Sequence, residues 1–313
     1  MTNQPISPCR ADFRHLERLR VRWAEVDLQK IVFNGHYLMY LDTAVAGWWR
    51  AMALPYQATM ASLAGDLYVR KATLDYLGSA RYDDQIDVGI KTARIGNSSV
   101  LIAGAVFRGD ALLVSGELVY VFADPATQTA RPVPAPLREV LLAFEAGQTM
   151  VDVRLGGWDL LGGQAAALRR QVFVDEQNIP AALEWDAADA GALHALACNR
   201  FGLPVATGRL VTGAPDAPDV MGATGPSGIA QIGGVGRNGR IGRMAVLASL
   251  RGSGIGGTVL QALLQAARSR GDAQVLLHAQ ASAVAFYRRH GFVPQGPVFD
   301  EAGIAHQAMV CGL

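Results

Sequence analysis

Hydrophobic and polar positions divide the chain into two differently patterned halves. Residues 14–23 read as a strand, followed by an irregular stretch, 24–32. Beyond Asn34, residues Tyr37, Leu41, Val45, Trp48 and Met52 recur at helical spacing, and Tyr40, Ala44 and Trp49 widen the apolar face. A face that wide predicts a helix wrapped by a sheet, and Leu54-Pro55 ends it. Four strands are expected next, at Leu67–Leu77, Gln85–Ile95, Ser99–Arg108 and Ala111–Ala123. Turn signals at 95–99 and at Arg108-Gly-Asp110 separate them, and the latter tripeptide reads as a hairpin turn, not an adhesion motif. One long helix with an antiparallel meander makes an α+β domain.

The second half alternates strands and helices. Four prolines in 125–136 lead into a short helical stretch, Leu137–Glu145, and 147–149 reads as a linker. Domains of 1–147 and 148–313 are expected. A strand at Asp152–Leu155 and a helix at Leu160–Val174 open the second. Residues 212–240, rich in Gly, Pro and Ala, read as a long loop between two strands. A strand at Arg240–Leu247, the run Arg251-Gly-Ser-Gly-Ile-Gly256 and a helix at Gly257–Arg270 follow.

Composition narrows the function classes. The 313 residues are 50% hydrophobic and 18% charged with formal net charge +1, which fits a globular protein and gives no push toward nucleic acid or an anionic membrane surface. Cys9, Cys198 and Cys311 have neither zinc spacing nor the look of a disulfide framework, so a cytoplasmic setting is expected. The polar residues 1–14 hold no signal-peptide core, and no stretch is apolar enough for a membrane span. Asp186, Asp189 and His194 match no standard metal spacing and read as solvated acids and a strand-end histidine, so no metal is expected.

Asp27 stands just ahead of the first helix, which opens over Val32–His36. Helix-start N–H groups are unpaired and carry partial positive charge, so they can polarise a thioester carbonyl. A nearby carboxylate can then attack that carbonyl or activate water. A lone Asp before a helix can equally be a cap or turn residue. The runs Arg22-Trp-Ala-Glu-Val-Asp27, Ile31-Val-Phe-Asn-Gly-His-Tyr-Leu38 and Leu74-Asp-Tyr-Leu-Gly-Ser-Ala-Arg-Tyr-Asp-Asp84 resemble, in order, the signature of the 4-hydroxybenzoyl-CoA thioesterase family. That resemblance implies a hotdog fold, acyl-CoA substrates, and a dimer or tetramer with active sites at subunit interfaces. It puts the catalytic carboxylate on Asp27, with the amides near Phe33 and Asn34 polarising the carbonyl and Asn34 contacting substrate. His36, at the helix start, reads as a substrate-site residue or as a packing or capping one. Asn34 reads equally as a helix N-cap. The family carries Gly where this chain has Lys30, which would alter the turn, pair with Asp27 or face solvent. Glu25, on the same strand face as Asp27, reads as structural or solvated; repulsion between the two would raise a pKa.

Strand, glycine turn and helix at 240–270 make a cradle for a diphosphate, because the backbone comes close and N–H groups converge at a positive helix end. The run lacks the Lys-Ser or Lys-Thr of a Walker loop and the spacing of a dinucleotide fingerprint. Together with Leu277-His-Ala-Gln-Ala-Ser-Ala-Val-Ala-Phe-Tyr-Arg-Arg-His-Gly-Phe292, it resembles the acetyl-CoA-binding region of the GNAT superfamily; Arg169–Gln177 with Glu184, Asp186, Asp189 and His194 resembles its ElaA-like branch. The resemblance implies an α/β domain with a mixed sheet and flanking helices, acetyl-CoA as substrate and an amine as acceptor. It assigns the cofactor contacts to Met244, Val246, Arg251, Gly252, Ser253, Gly254 and Gly256. Tyr287 would protonate the leaving thiolate, and Glu176, His278 or an ordered water would take the amine's proton. No covalently bound cofactor is expected. The reading is a two-module acyl-CoA enzyme. Its rivals are an inactive hotdog platform carrying the acetyltransferase, and an active thioesterase joined to an acetyl-CoA sensor.

Overall fold

The wide apolar face of the first long helix dictates what surrounds it. In the computed structural model, which describes residues 7–213 and 237–313, β1 (His15–Arg20) precedes α1 (Asn34–Ala51), a short helix α2 (Tyr56–Ser62) and four strands. These are β2 (Asp66–Tyr76), β3 (Gln85–Ile95), β4 (Ser99–Arg108) and β5 (Ala111–Ala123), with α3 (Ala135–Glu145) closing the first unit. The sheet runs β1-β3-β4-β5-β2, antiparallel at every pairing. α1 buries Tyr37, Tyr40, Leu41, Ala44, Val45, Trp48 and Trp49, and packs on β1, β3 and β4. This is the hotdog arrangement of a long helix against a curved antiparallel sheet.

A glycine pair lets the helix come this close. Gly104 and Gly116 face each other across β4 and β5. A Cβ on Gly104 would stand 2.5 Å from Leu41 Cδ2, and one on Gly116 3.5 Å from Leu41 Cδ1. Leu41, fully buried, drops into that side-chain-free strip.

The structure corrects the first strand. It stops at Arg20 rather than Trp23, because Trp23–Glu25 forms a 3-10 turn closed by the Glu25 carboxylate on the Arg22 N–H at 2.7 Å. The short helix α2 was not anticipated; only Thr59 and Met60 are buried in it, too few to show a period.

The chain divides into compact units Met1–Met150 and Val151–Leu313. The second contains β6 (Val151–Gly156), α4 (Trp158–Arg169), a π-helix (Arg170–Glu176), α5 (Ala181–Glu184), β7 (Leu193–Asn199), β8 (Pro204–Gly213), β9 (Arg237–Val246), α6 (Ile255–Arg270), β10 (Asp272–Gln280), α7 (Val284–Arg289), β11 (Val293–Glu301) and β12 (Ile304–Gly312). Its sheet order is β11-β12-β10-β9-β8-β7-β6; β9 and β10 pair in parallel and the other neighbours antiparallel. α4 packs on β7 and β8, and α6 on β8 and β9.

Two expectations change here. The helix expected over Leu160–Val174 is α-helical only to Arg169 and then widens into the π-helix, which turns Val172 and Phe173 inward together. β9 begins at Arg237, so Arg237–Arg240 are strand and not loop, as are Thr212 and Gly213 in β8. The remainder of the expected loop, 214–236, lies outside the described residues. Among the described residues no helix is long and apolar enough to cross a membrane.

Candidate active sites

In the first unit the chain turns sharply between the sheet and α1. Val26 and Val32 form an isolated antiparallel bridge that closes a loop around Asp27. The Asp27 N–H donates to the Ile31 carbonyl at 2.9 Å, and the Lys30 N–H to the Asp27 carbonyl at 2.9 Å. The half-buried Asp27 carboxylate accepts the Gln29 N–H at 2.8 Å. Lys30 is exposed and holds a left-handed φ of 62°. Its backbone thus adopts the conformation for which glycine is suited, and its side chain faces solvent.

Glu25 is neither solvated nor on a strand. It is 3% exposed and accepts the Tyr40 hydroxyl at 2.7 Å and Arg22 Nε at 2.6 Å, besides the Arg22 N–H. Burial pushes its pKa up, but these donors outweigh it and hold the carboxyl below the usual range, the reverse of the rise that repulsion from Asp27 would produce. Glu25 pins the loop to α1.

Phe33 is the residue that caps α1, and Asn34 is the first helical one, so the N-cap reading of Asn34 does not hold. The Phe33 N–H donates to the Glu25 carbonyl at 2.9 Å, so this amide, expected to face a substrate, is already paired. The amides of Asn34 and Gly35 open the helix, where no preceding turn supplies a carbonyl. The Phe33 ring lies across this opening: a Cβ on Gly35 would stand 2.9 Å from Phe33 Cε1. His36 is half-buried with its ring edge-on to Phe33 at 5.9 Å. Tyr76, unnoticed in the sequence, donates its hydroxyl to the Asn34 carbonyl at 3.2 Å. Trp23, Leu28, Phe33, Tyr76, Leu77 and Tyr82 are all exposed on this stretch and the one joined to it by the Val32 N–H to Ala80 carbonyl bond. Among them Trp23 and Tyr82 meet edge-on at 5.4 Å.

In the second unit the decisive feature is a parting of strands. β9 and β10 pair from Arg237–Asp272 to Arg240–Leu276. Beyond that they no longer pair with each other: β9 runs on along β8 to Val246, and β10 along β12 to Gln280. Below the opening comes the glycine run. Gly252 and Gly254 hold φ of 82° and 89°, which few side chains tolerate, and Gly254 caps α6. Gly256 sits against Val246 and Phe286: a Cβ there would lie 3.3 Å from Val246 Cγ2 and 3.7 Å from Phe286 Cζ. The turn is therefore wedged between the end of β9 and α7. Ser253 Oγ donates to the Leu250 carbonyl at 2.6 Å, inside the turn.

Arg251 grips Glu176 with both ends of its guanidinium, at 2.6 and 2.7 Å, and its Nε donates to the Val246 carbonyl at 3.2 Å. Glu176 and the Val246 carbonyl are thus both engaged by the first residue of the loop. Tyr287 is buried on α7 between Phe286 and Phe292, and burial pushes its hydroxyl up to about 12. His278 on β10 has Nδ1 3.0 Å from Glu301 and 3.3 Å from Arg240 Nη2, with Phe299 edge-on at 4.8 Å. Gln280 donates to Gln177 at 2.9 Å, tying the end of β10 to the residue after the π-helix.

Asp186, Asp189 and His194 are not a solvated set. Arg169, 1% exposed, donates to Glu184 and to both oxygens of Asp189, and its guanidinium lies over the Trp158 and Trp185 rings. Arg209 reaches Asp186 at 2.6 and 2.9 Å and Asp189 at 2.7 Å. Burial raises the pKa of Asp186 and Asp189, but the arginines outweigh it and hold both below the usual range. His194 is fully buried, with Nε2 2.9 Å from the Asp189 carbonyl. Acids spaced along a sequence default to a solvated reading, and their arginines come from other elements. Among the described residues no cluster of three His, Cys, Asp or Glu side chains could hold a metal ion.

Residues 221–313 match the acetyltransferase (GNAT) domain model, and residues 29–115 the thioesterase superfamily model. The uncharacterized N-acetyltransferase YjcF of Bacillus subtilis (strain 168) is 31% identical over 144 residues, 46% of this chain and 86% of that protein. The chain belongs to the GNAT acetyltransferases through its second unit, and its first unit matches the thioesterase superfamily. For the latter, the acyl-CoA thioester hydrolase YbgC of Escherichia coli O6:H1 is 28% identical over 117 residues, 37% of this chain and 87% of that one. A crystal structure of a thioesterase complexed with coenzyme A and Zn from Thermus thermophilus matches at 24% identity and TM-score 0.39, over 43% of this chain and 96% of that one. The thioesterase and GNAT domains are thus joined in one chain.

Proposed function

We propose that the thioesterase domain hydrolyses an acyl-CoA to the free acid and coenzyme A, and that the GNAT domain moves an acetyl group from acetyl-CoA to an amine. In the first reaction the Asn34 and Gly35 amides and the positive end of α1 draw charge onto the thioester oxygen. Asp27 either takes a proton from the attacking water or attacks the carbonyl itself, and coenzyme A leaves as the thiolate; on the second route water then cleaves the acyl-Asp27 anhydride to the free acid and restores the carboxylate. Phe33 and His36 border the acyl group. The turn that presents Asp27, held by the Glu25–Tyr40 and Val26–Val32 contacts, supports this reading.

In the second reaction the glycine loop Arg251–Gly256 receives the diphosphate, and the main chain of Met244 and Val246 takes the pantetheine arm in the opening beside β10. The observation that carries this reading is the parting of β9 from β10 above an N–H-rich turn. The amine gives up a proton to Glu176, His278 or an ordered water and attacks the acetyl carbonyl. The thiolate leaves and takes the proton of Tyr287, whose raised pKa keeps that proton in place at neutral pH.

β2 is an edge strand with Val69, Tyr76 and the adjoining Leu77 exposed. We infer that copies of the chain meet along it as a dimer or tetramer, which would put a neighbour beside the Asp27 loop. Cys9, Cys198 and Cys311 are free thiols, in keeping with a cytoplasmic setting.

The test is thiol release from a panel of acyl-CoAs, with and without amines, in the intact chain and in Asp27→Asn and Tyr287→Phe variants. Asp27→Asn is expected to abolish amine-independent release and leave amine-dependent transfer. Tyr287→Phe is expected to slow transfer by about 10²-fold or more. Hydrolysis surviving Asp27→Asn overturns the first assignment, and transfer unaffected by Tyr287→Phe the second.

A further inference from the structure

Beside the opening in the second unit, β9 contains a bulge. Thr207 pairs with Ala245 and Arg209 with Gly242, so Arg243 and Met244 together face the single residue Gly208. Arg243 holds a left-handed φ of 53° there. Gly208 leaves room for Met244: a Cβ at 208 would lie 2.4 Å from the Met244 sulfur. An inserted residue shifts by one which residues direct their main-chain groups to each side of the strand. Past the bulge, the Leu247 N–H points to β8, where it meets the Val205 carbonyl at 3.0 Å. By alternation Met244 and Val246 direct theirs to the unpaired side, and the Val246 carbonyl does so toward Arg251.

Arg243 offsets the burial of Glu184 and Asp186 with its charge, but its backbone works against stability. Its left-handed backbone is a cost for a residue with a Cβ. Its buried Nε has no hydrogen-bond partner among the described residues, and Glu184 lies 3.6 Å from it. Its Nη2 donates to Asp186 at 3.1 Å and to the Leu183 carbonyl at 3.4 Å. Both carboxylates have another cation: Asp186 has Arg209, and Glu184 has Arg169. Removing Arg243 would leave neither acid unpaired. A left-handed backbone at the bulge, held in place by a side chain anchored to two acids on another segment, marks a position whose conformation the surrounding structure imposes.

We propose that Arg243 is a positioning residue of the acetyltransferase site: tethered to Asp186 and Glu184, it holds the bulge that directs the Met244–Val246 main chain at the acetyl end of acetyl-CoA. The inference rests on the acetyltransferase reading of this unit. It separates two parts of the cofactor site, because the diphosphate meets the Arg251–Gly256 loop whereas the acetyl thioester meets the strand that Arg243 positions.

The experiment uses the full chain and two probes, coenzyme A and a non-hydrolysable ketone analogue of acetyl-CoA. Binding is followed by amide hydrogen exchange, which resolves residues 243–247 and 252–258 from the thioesterase domain. In the intact chain both probes are expected to protect 252–258, and the analogue also 243–247. Arg243→Gly suits the left-handed φ while cutting the tether. It is expected to weaken the analogue about tenfold, coenzyme A by less than about twofold, and to lose the protection at 243–247. Arg243→Lys keeps a cation for Asp186 and is expected to recover the analogue's affinity to within about threefold, which keeps the test open if the glycine variant misfolds. Equal weakening of both probes, or unchanged analogue binding in folded Arg243→Gly, overturns the positioning role. Absence of protection by either probe in the intact chain overturns the acetyltransferase reading beneath it.

Discussion

Lys30 offers a direct measurement of backbone strain beside the Asp27 turn. Its φ of 62° lies in the left-handed region, its side chain is exposed, and its N–H closes the loop on the Asp27 carbonyl at 2.9 Å. Holding an L-residue in that region costs about 1–2 kcal/mol, which glycine avoids. Glycine gives back about 0.4–1 kcal/mol through its freer unfolded chain. Lys30→Gly should therefore stabilise the thioesterase domain by up to about 1.5 kcal/mol. For a unit of this size that raises Tm by up to about 5 °C. Lys30→Ala keeps the Cβ and the strain, so it should give no such gain. Differential scanning calorimetry of the three chains decides the matter. Because Asp27 is held by backbone bonds that glycine can also make, kcat/KM for acyl-CoA hydrolysis should stay unchanged in Lys30→Gly. Equal Tm shifts in both variants, or a fall in the glycine variant, would refute the strain argument.

Gly104→Ala should cost about 1–3 kcal/mol in urea unfolding, because its methyl would meet the immobile Leu41; a neutral effect would mean that α1 can shift off the sheet. Glu176→Gln should tighten coenzyme A binding about two- to fivefold, because the carboxylate competes with a diphosphate for Arg251 across an exposed pair; weaker binding, measured by hydrogen exchange at 252–258, would show that Glu176 instead aims Arg251 at the ligand. Asp87 is hydrogen-bonded by Arg18 against the upward push of burial, with Arg10 adding to it, so its carboxyl sits below the usual range. Its contribution to stability is present above the unfolded carboxylate pKa of about 3.9 and is lost as pH falls through the lower folded value. Asp87→Asn should remove that contribution at neutral pH and flatten the acid limb of a stability-against-pH curve; an unchanged limb would count against the assignment.

What could be read along the chain was whatever the chain decides locally. β3, β4 and β5 fall at the bounds that alternation and turn residues indicate, α1 shows its face through helical spacing, and Arg251–Gly256 reads as a turn opening a helix. The expectations for Asp27 and Tyr287 rest on motifs lying within single stretches. The π-helix was not legible, because over seven residues its apolar spacing resembles that of an α-helix. Nor were the partners of charged groups: Arg251 meets Glu176 across 75 residues, and Arg243 meets Asp186 across 57. A charged residue reads as solvated until another element closes over it, as α1 does over Glu25 through Tyr40. Sequence by itself determined two domains' worth of elements and the turns that open α1 and α6, because periodicity, turns and helix starts are short-range. Tertiary structure alone decided that the Phe33 amide is paired, that Asp186 and the buried Asp189 are held by arginines, and that β9 bulges at Arg243. Each of these depends on which strands and helices meet, and that is settled by packing across the whole unit.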